Sequence, residues 1–292
     1  MALRADAFRA DTVITAEQLS ARLAAGDPVT VVDVRWQLGR PDGRADYASG
    51  HIPGAVYADV ETELSDHSVT GQGRHPLPTG AALQDAARGW GARTGVPIVL
   101  YDNWNRAGSA RAWWVLRAAG ISDVRILDGG LGAWIAAGFP VSSAAEEITP
   151  GNIEVLRDDL YEGELPTLTV LEAAAAPESG VLVDARAPQR FRGDEEPVDP
   201  VAGHIPGARN VPSSGVLDDA GFFRPAVELE RVFAAAGATT APAVGVYCGS
   251  GVTAAVDIAA LRILGIEAAL FPGSWSQWSA NPARPVATGD NE

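Results

Sequence analysis

Short runs of apolar residues alternate with stretches of helical periodicity along the chain. In the first half, this alternation predicts strands near Thr30–Val34, Ile98–Tyr101 and Val124–Leu127, and helices near Ala16–Ala24, Gly80–Arg88 and Ser109–Ala118. Strands that are apolar throughout are typical of a mostly parallel sheet with helices on both faces. We therefore predict an α/β fold, in which ligands bind at the carboxyl ends of the strands.

The same pattern occurs twice. Both halves contain an Asp-x-Arg motif after an apolar run, a Gly-His-Ile-Pro-Gly-Ala motif, a further apolar run that ends in a loop, and a glycine turn before a tryptophan. The matched positions are Asp33 and Asp184, His51 and His204, Asp102 and Cys248, and Gly130 and Gly273. Matched positions lie about 150 residues apart, and a period of this length indicates a duplicated domain. We expect domains at residues 10–141 and 158–288, joined by a small, polar linker at 142–157.

The composition limits the possible ligands. The 292 residues carry a formal net charge of −15, and all 22 basic residues are arginine. This balance argues against binding to nucleic acid or to an anionic membrane surface. A small anionic ligand would have to be held by local arginines or by oriented backbone N–H groups.

A single cysteine narrows the chemistry further. It excludes an internal disulfide, a cysteine-rich zinc site and a Cys-x-x-Cys exchange centre. The first residues, Met1–Asp6, lack an apolar core of signal-peptide length, and no run is long enough to span a bilayer. We expect a cytoplasmic protein.

Cys248 follows the apolar run Val244–Tyr247 and precedes Gly-Ser-Gly and a helical pattern. A thiol on such a strand-to-helix loop faces backbone N–H groups and the positive end of the helix dipole, which favour the reactive thiolate. The alternative is a buried structural cysteine, but glycines stand where a core would need side chains. His51 and His204 could be catalytic. We interpret them as turn residues because the histidine occurs in both halves and the cysteine in only one.

These features resemble the two-domain rhodanese-like sulfurtransferases, over about residues 12–285. The Cys248 loop is similar to the mercaptopyruvate sulfurtransferase branch, whereas the thiosulfate branch carries basic residues where Gly249 and Ser250 stand here. The resemblance implies that the first domain is catalytically silent, with Asp102 at the position of the cysteine. It also implies an active site in the cleft between the domains.

The implied reaction moves sulfur from 3-mercaptopyruvate onto Cys248 as a persulfide, and then to an acceptor. Acceptors would be cyanide, a small thiol or a thioredoxin-like protein. The reaction requires no metal and no organic cofactor. The expected cradle for the persulfide consists of the N–H groups of Gly249, Ser250, Gly251, Val252 and Thr253, if the loop curls as its glycines permit.

Further site residues follow from the resemblance. Ser250 would work with His75 and with an acid from the first domain, matched here by Glu61, where the family has Asp. Arg190 matches the arginine that holds the substrate carboxylate. Trp36 matches a cleft position, and Arg111 matches a family arginine that we interpret as structural.

One family feature is missing. The mercaptopyruvate branch often has a second arginine about nine residues after the first, but here residues 194–199 are acidic and the region is shorter. We hypothesise that Arg106, on the first-domain counterpart of the cysteine loop, reaches the cleft and replaces it. The alternative is a solvated arginine.

Two alternative functions remain open, and a third, a phosphatase, is disfavoured. Thiosulfate is the alternative sulfur donor, although a compact dianion prefers cationic neighbours and the chain has no lysine. A phosphatase of the Cys-x5-Arg type would need an arginine at Ala254. A non-enzymatic sulfur-binding or regulatory module would not need the intact Cys248 loop.

Overall fold

The computed structural model describes residues 2–290, with side chains from residue 5 onward. The first half forms a five-stranded parallel sheet in the order β1-β5-β4-β2-β3. Its strands are β1 (Val13–Ile14), β2 (Thr30–Asp33), β3 (Val56–Tyr57), β4 (Ile98–Tyr101) and β5 (Val124–Leu127). Its helices are α1 (Ala2–Thr12), α2 (Ala16–Ala25), α3 (Arg44–Ser49), α4 (Gly80–Gly89), α5 (Ala107–Ala118) and α6 (Gly130–Ala136).

The second half forms a four-stranded parallel sheet in the order β7-β6-β8-β9. Its strands are β6 (Val181–Asp184), β7 (Arg209–Asn210), β8 (Val244–Tyr247) and β9 (Ala269–Leu270). Its helices are α7 (Val170–Ser179), α8 (Pro188–Arg192), α9 (Ala226–Ala235), α10 (Ala254–Ile263) and α11 (Ser274–Ser279), with 3₁₀ turns at Leu160–Glu162 and Ser213–Val216.

The predicted α/β fold with two parallel sheets is confirmed. The strand bounds agree with the apolar runs to within a residue, because β2 and β4 are buried along their whole length and have no solvent face to break the run. Helices α2 and α4 begin at the predicted residues, each after a threonine that caps the helix by accepting an N–H bond.

The two halves share one continuous apolar core. Helices α5 and α10, which follow the two matched loops, pack against each other, and both carry small buried residues, such as Ala110 and Ala259, which have no exposed surface. Small side chains allow two helix backbones to approach closely. The close packing of α5 against α10 brings the two loops to one inter-domain cleft.

The Asp-x-Arg motifs tie turns to the sheets. Arg186 pairs with Asp184 and also donates to the carbonyl of Gly203 at 2.7 Å, next to His204. Arg35 makes the same contacts with Asp33 and Gly50. The ring nitrogens of the two motif histidines bond main-chain carbonyls, an arrangement that supports their interpretation as turn residues.

The predicted linker lies along the first domain. The Leu156 N–H donates to Ala119 at 3.0 Å, and the Gly80 N–H donates to Asp158 at 2.7 Å. The proposed boundaries at residues 141 and 158 stay predictions. Within residues 2–290, we find no helix of the length and apolarity needed to cross a membrane; Met1, at the start of the segment discussed for a signal peptide, lies outside the described residues.

Candidate active site

Cys248 lies at the carboxyl end of the buried strand β8 and is 2% exposed. Its Sγ accepts the Gly251 N–H at 3.2 Å. Gly251 has φ +78°, and a Cβ there would lie 2.4 Å from the Pro272 carbonyl oxygen. Only glycine fits this position, so the glycine in the sequence permits the loop to curl around the sulfur.

The predicted N–H cradle is only partly engaged. In the part of the chain that the structure describes, no hydrogen bond is donated by the amides of Ser250, Val252 or Thr253. These groups lie between Cys248 and the start of α10, where unsatisfied amides favour an anion. Their role as a persulfide cradle stays a prediction.

The structure brings Ser250, His75 and Glu61 together across the domain boundary. Ser250 Oγ lies 2.7 Å from His75 Nδ1, and His75 Nε2 lies 3.1 Å from Glu61 Oε1. Because the Glu61 carboxylate accepts the Nε2 proton, Nδ1 is left to accept the proton of the Ser250 hydroxyl. Ser250 and His75 are 4% and 2% exposed, which places this chain of hydrogen bonds away from bulk water.

The electrostatics give Glu61 and His75 different charge states. The hydrogen bond from His75 lowers the pKa of Glu61 to about 2, against some opposition from burial. Burial lowers the pKa of His75 below its ordinary 6.5, although the hydrogen bond and charge of Glu61 oppose the shift. At neutral pH the site therefore holds an ionised Glu61 and a neutral imidazole.

Two aromatic neighbours complete the surroundings of Glu61. Trp36, matched to a cleft position in the sequence, donates its indole N–H to Glu61 Oε1 at 2.6 Å and lies edge-on to His75 at 5.7 Å. His67 lies 3.0 Å from Glu61 Oε2 and is about half exposed. Sequence reasoning missed His67, because nothing in its local pattern distinguishes it from a surface histidine.

Arg111 fastens the first domain to the cysteine loop. Its guanidinium donates to the carbonyls of His75, Leu64 and Gly251 at 3.1–3.3 Å. The side chain has no exposed surface, and burial lowers its pKa to about 10. These contacts support the structural role expected for Arg111 and hold His75 in register with the loop of Cys248.

Arg190 and Arg74 converge on the cysteine loop from opposite domains. A Cβ built on Gly249 would lie 3.5 Å from Arg190 Nη1 and 3.4 Å from Arg74 Nη2. Arg190 was expected here from the resemblance, whereas Arg74 was not. The Arg74 backbone is held across the cleft because its N–H donates to Ser276 Oγ at 3.0 Å.

The hypothesis for Arg106 is corrected. This side chain is 1% exposed, pairs with Asp102 at 3.0 Å and donates to the Trp104 carbonyl at 2.9 Å. It therefore serves the first-domain loop, not the Cys248 loop. The counter-charge of Asp102, which stands where the second domain has its cysteine, holds it there.

The comparisons with known proteins identify the family of this chain. The model of the rhodanese-like domain matches residues 15–137 and again 168–281. The chain therefore belongs to the rhodanese-like family, with two copies of the domain.

Three relatives describe the branch. "Putative thiosulfate sulfurtransferase SseB" of Mycobacterium tuberculosis is 57% identical over 96% of this chain and 98% of its own length. "Probable 3-mercaptopyruvate sulfurtransferase" of Pseudomonas aeruginosa is 43% identical over 95% of this chain and 98% of its own. The crystal structure of SseA, a 3-mercaptopyruvate sulfotransferase from Escherichia coli, superimposes with a TM-score of 0.79 at 32% identity, over 90% of this chain and 98% of that one. The predicted resemblance to sulfurtransferases of the mercaptopyruvate branch is confirmed.

Proposed function

We propose that this protein is a sulfurtransferase that takes sulfur from 3-mercaptopyruvate, carries it as a persulfide on Cys248 and passes it to a thiol or to cyanide. The observation that carries the proposal is the hydrogen-bonded chain Glu61–His75–Ser250 beside the only cysteine. A proton relay of this kind suits a donor whose leaving group is a carbon that must be protonated.

In the first step, the Cys248 thiolate attacks the thiol sulfur of the donor. The sulfur–carbon bond breaks, and its electron pair leaves on the enolate of pyruvate. The thiol proton of the donor moves through Ser250 and His75 to the enolate carbon, giving pyruvate. His75 can take up this proton because it starts neutral, and the ionised Glu61 stabilises the imidazolium that forms transiently.

In the second step, a thiolate or cyanide attacks the outer sulfur of the persulfide and regenerates the Cys248 thiolate. The amides of Ser250, Val252 and Thr253 can stabilise the persulfide anion in the interval. The Arg190 guanidinium can hold the donor carboxylate above Gly249. For the acceptor we propose a small thiol or a thioredoxin-like protein, and for the location the cytoplasm.

Donor kinetics test the function directly. We expect kcat/KM for 3-mercaptopyruvate to exceed that for thiosulfate, and the intact mass to gain one sulfur, on Cys248, when acceptor is withheld. A preference for thiosulfate would overturn the choice of donor. If neither donor adds sulfur, the protein is a binding module and not a transferase.

The relay is tested by His75→Ala. We expect turnover of mercaptopyruvate to fall by about a hundredfold because the enolate loses its proton source. Alkylation of Cys248 by iodoacetamide should continue, because the thiol stays in place. The matched control is His67→Ala, which removes the exposed histidine from the other oxygen of Glu61. Equal turnover in the two variants would remove the relay from the mechanism.

Thiosulfate remains the second candidate donor for a structural reason. Arg74 and Arg190 supply the cationic neighbours that a chain without lysine seemed to lack. The relative from M. tuberculosis also carries the name of a thiosulfate sulfurtransferase. The side-by-side donor kinetics distinguish the two candidates.

A further inference from the structure

A single carboxylate, that of Asp199, bridges the two arginines near Gly249, Arg74 and Arg190. Asp199 accepts Arg74 Nη1 on one oxygen at 2.7 Å and Arg190 Nη2 on the other at 3.2 Å. Its side chain is 3% exposed. Asp199 thus bridges a cation of the first domain to a cation of the second, at the mouth of the cysteine loop.

The free donors of both arginines face the loop. Within residues 2–290, no hydrogen bond engages Arg74 Nη2 or Arg190 Nη1, and these are the nitrogens that lie 3.4 and 3.5 Å from a Cβ built on Gly249. Arg74 Nε is buried without a partner as well. Two guanidinium groups with their open edges on one side form a ready binding site for an anion.

Glu196 holds the Asp199 carboxylate in this position. The Glu196 carboxylate accepts two hydrogen bonds from Arg190, at 3.1 Å from Nε and 2.5 Å from Nη2, and forms an ion pair with Arg186 at 3.2 Å. Its Oε1 accepts the backbone N–H of Asp199 at 3.1 Å. The loop is therefore anchored by Glu196, and Asp199 is presented to the arginines as a fixed counter-charge.

We propose that Asp199 is a specificity-determining residue that adjusts the arginine pair to donors with one negative charge. Counting Arg74, Arg186 and Arg190 against Asp184, Glu196 and Asp199, the cluster is neutral before a donor enters. Each added negative charge is repelled by Asp199, so a dianion such as thiosulfate is penalised more than a monoanion such as mercaptopyruvate. The inference rests on the proposed function for its biological meaning, but the anion site can be measured without turnover.

The test compares two unreactive anions, pyruvate with one charge and sulfate with two, as protectants of Cys248 against iodoacetamide. In Asp199→Asn we expect the ratio of sulfate to pyruvate affinity to rise by about fivefold over the unmodified protein, because one repelling charge is removed. Using the ratio cancels any loss of arginine alignment that affects both anions. The matched control is Glu195→Gln, which removes one exposed charge of the same loop and should change the ratio by less than about twofold.

A second variant keeps the proposal testable if Asp199→Asn folds poorly, as circular dichroism would show. Arg74→Gln should lower the affinity for sulfate more than for pyruvate, because it removes a cation that a dianion needs most. If Asp199→Asn folds and changes the ratio no more than the Glu195→Gln control, the proposal is overturned, whatever Arg74→Gln does. If Asp199→Asn does not fold, an unchanged ratio in Arg74→Gln overturns the proposal. If the ratio changes as expected but no donor adds sulfur to Cys248, the proposed function fails and the anion site stands.

Discussion

The loop after β4 and the loop after β8 share a backbone hydrogen bond at the end of the strand, but they differ in what their backbone N–H groups bind. The residue at the end of each strand accepts a main-chain N–H through its carbonyl: Leu131 donates to Asp102 and Trp275 donates to Cys248, at 2.9 and 3.0 Å. In the first loop, the Asp102 carboxylate accepts the N–H groups of Trp104, Arg106 and Ser109 at 3.0–3.3 Å. The carboxylate of Asp102 therefore occupies the ring of backbone N–H groups in the first loop.

The second loop leaves its cradle open. It has one residue more between the strand-end position and the helix, since α5 begins at Ala107 and α10 at Ala254. Among the residues that the structure describes, Gly251 alone donates an N–H to Cys248 Sγ, and the amides of Ser250, Val252 and Thr253 donate no hydrogen bond. The two matched loops therefore differ in how far their backbone N–H groups are satisfied: the first loop is satisfied by its own Asp102 carboxylate, and the proposed function uses the unsatisfied amides of the second.

The largest effect is expected from replacing the sulfur of Cys248. Cys248→Ser should lower transfer from mercaptopyruvate by at least about a thousandfold, because a hydroxyl at this position is not ionised. Adding Asp102→Cys to this variant should not restore transfer. The first loop has neither the His75–Ser250 relay nor the pair of open arginine edges. Sulfur found on the introduced thiol by mass spectrometry would show that the cradle alone is sufficient, and the comparison above would lose its force.

A smaller effect is expected from a substitution in the first loop. Asp102→Asn should lower the free energy of unfolding by about 2 kcal/mol, because the buried Arg106 loses its counter-charge and several hydrogen bonds weaken. Urea titration measures the change, and sulfur loading of Cys248 should stay within about twofold. The control is Asp85→Asn on the exposed face of α4, expected to stay within about 0.5 kcal/mol. Equal stability in the two variants would mean that the first cradle does not depend on its anion.

The smallest effect concerns the pH profile of the open copy. The proposed relay needs a neutral His75, so activity should fall as the pH drops through the pKa of His75, which burial holds below 6.5. Glu61 raises that pKa, so Glu61→Gln should move the acid limb to lower pH while lowering the plateau about tenfold, because the imidazolium loses its partner. His67→Ala should leave the acid limb in place. If the acid limb of Glu61→Gln lies at the same pH as that of the unmodified protein, the titration belongs to a group other than His75.

Much of this site could be predicted from sequence because it depends on local rules and on a repeat. The buried strand before Cys248, the glycine at position 251 and the matched Asp102 are all readable along the chain. The contacts of Arg74 and Arg106 could not be predicted from the sequence. Arg74 reaches Asp199 across 125 residues, and no local pattern reports where the loop that carries it will dock.

The sequence by itself determined the strands, the duplication and the position of the single thiol on its glycine loop, because burial, glycine geometry and repetition are properties of neighbouring residues. The tertiary structure decided which charges meet at the cleft. Where the two domains meet, Arg74 and Arg190 both pair with Asp199, while Asp102 holds Arg106 in the first loop. Long side chains pair with whichever opposite charge the packed domains bring within reach, so their partners are fixed only when the two domains come together.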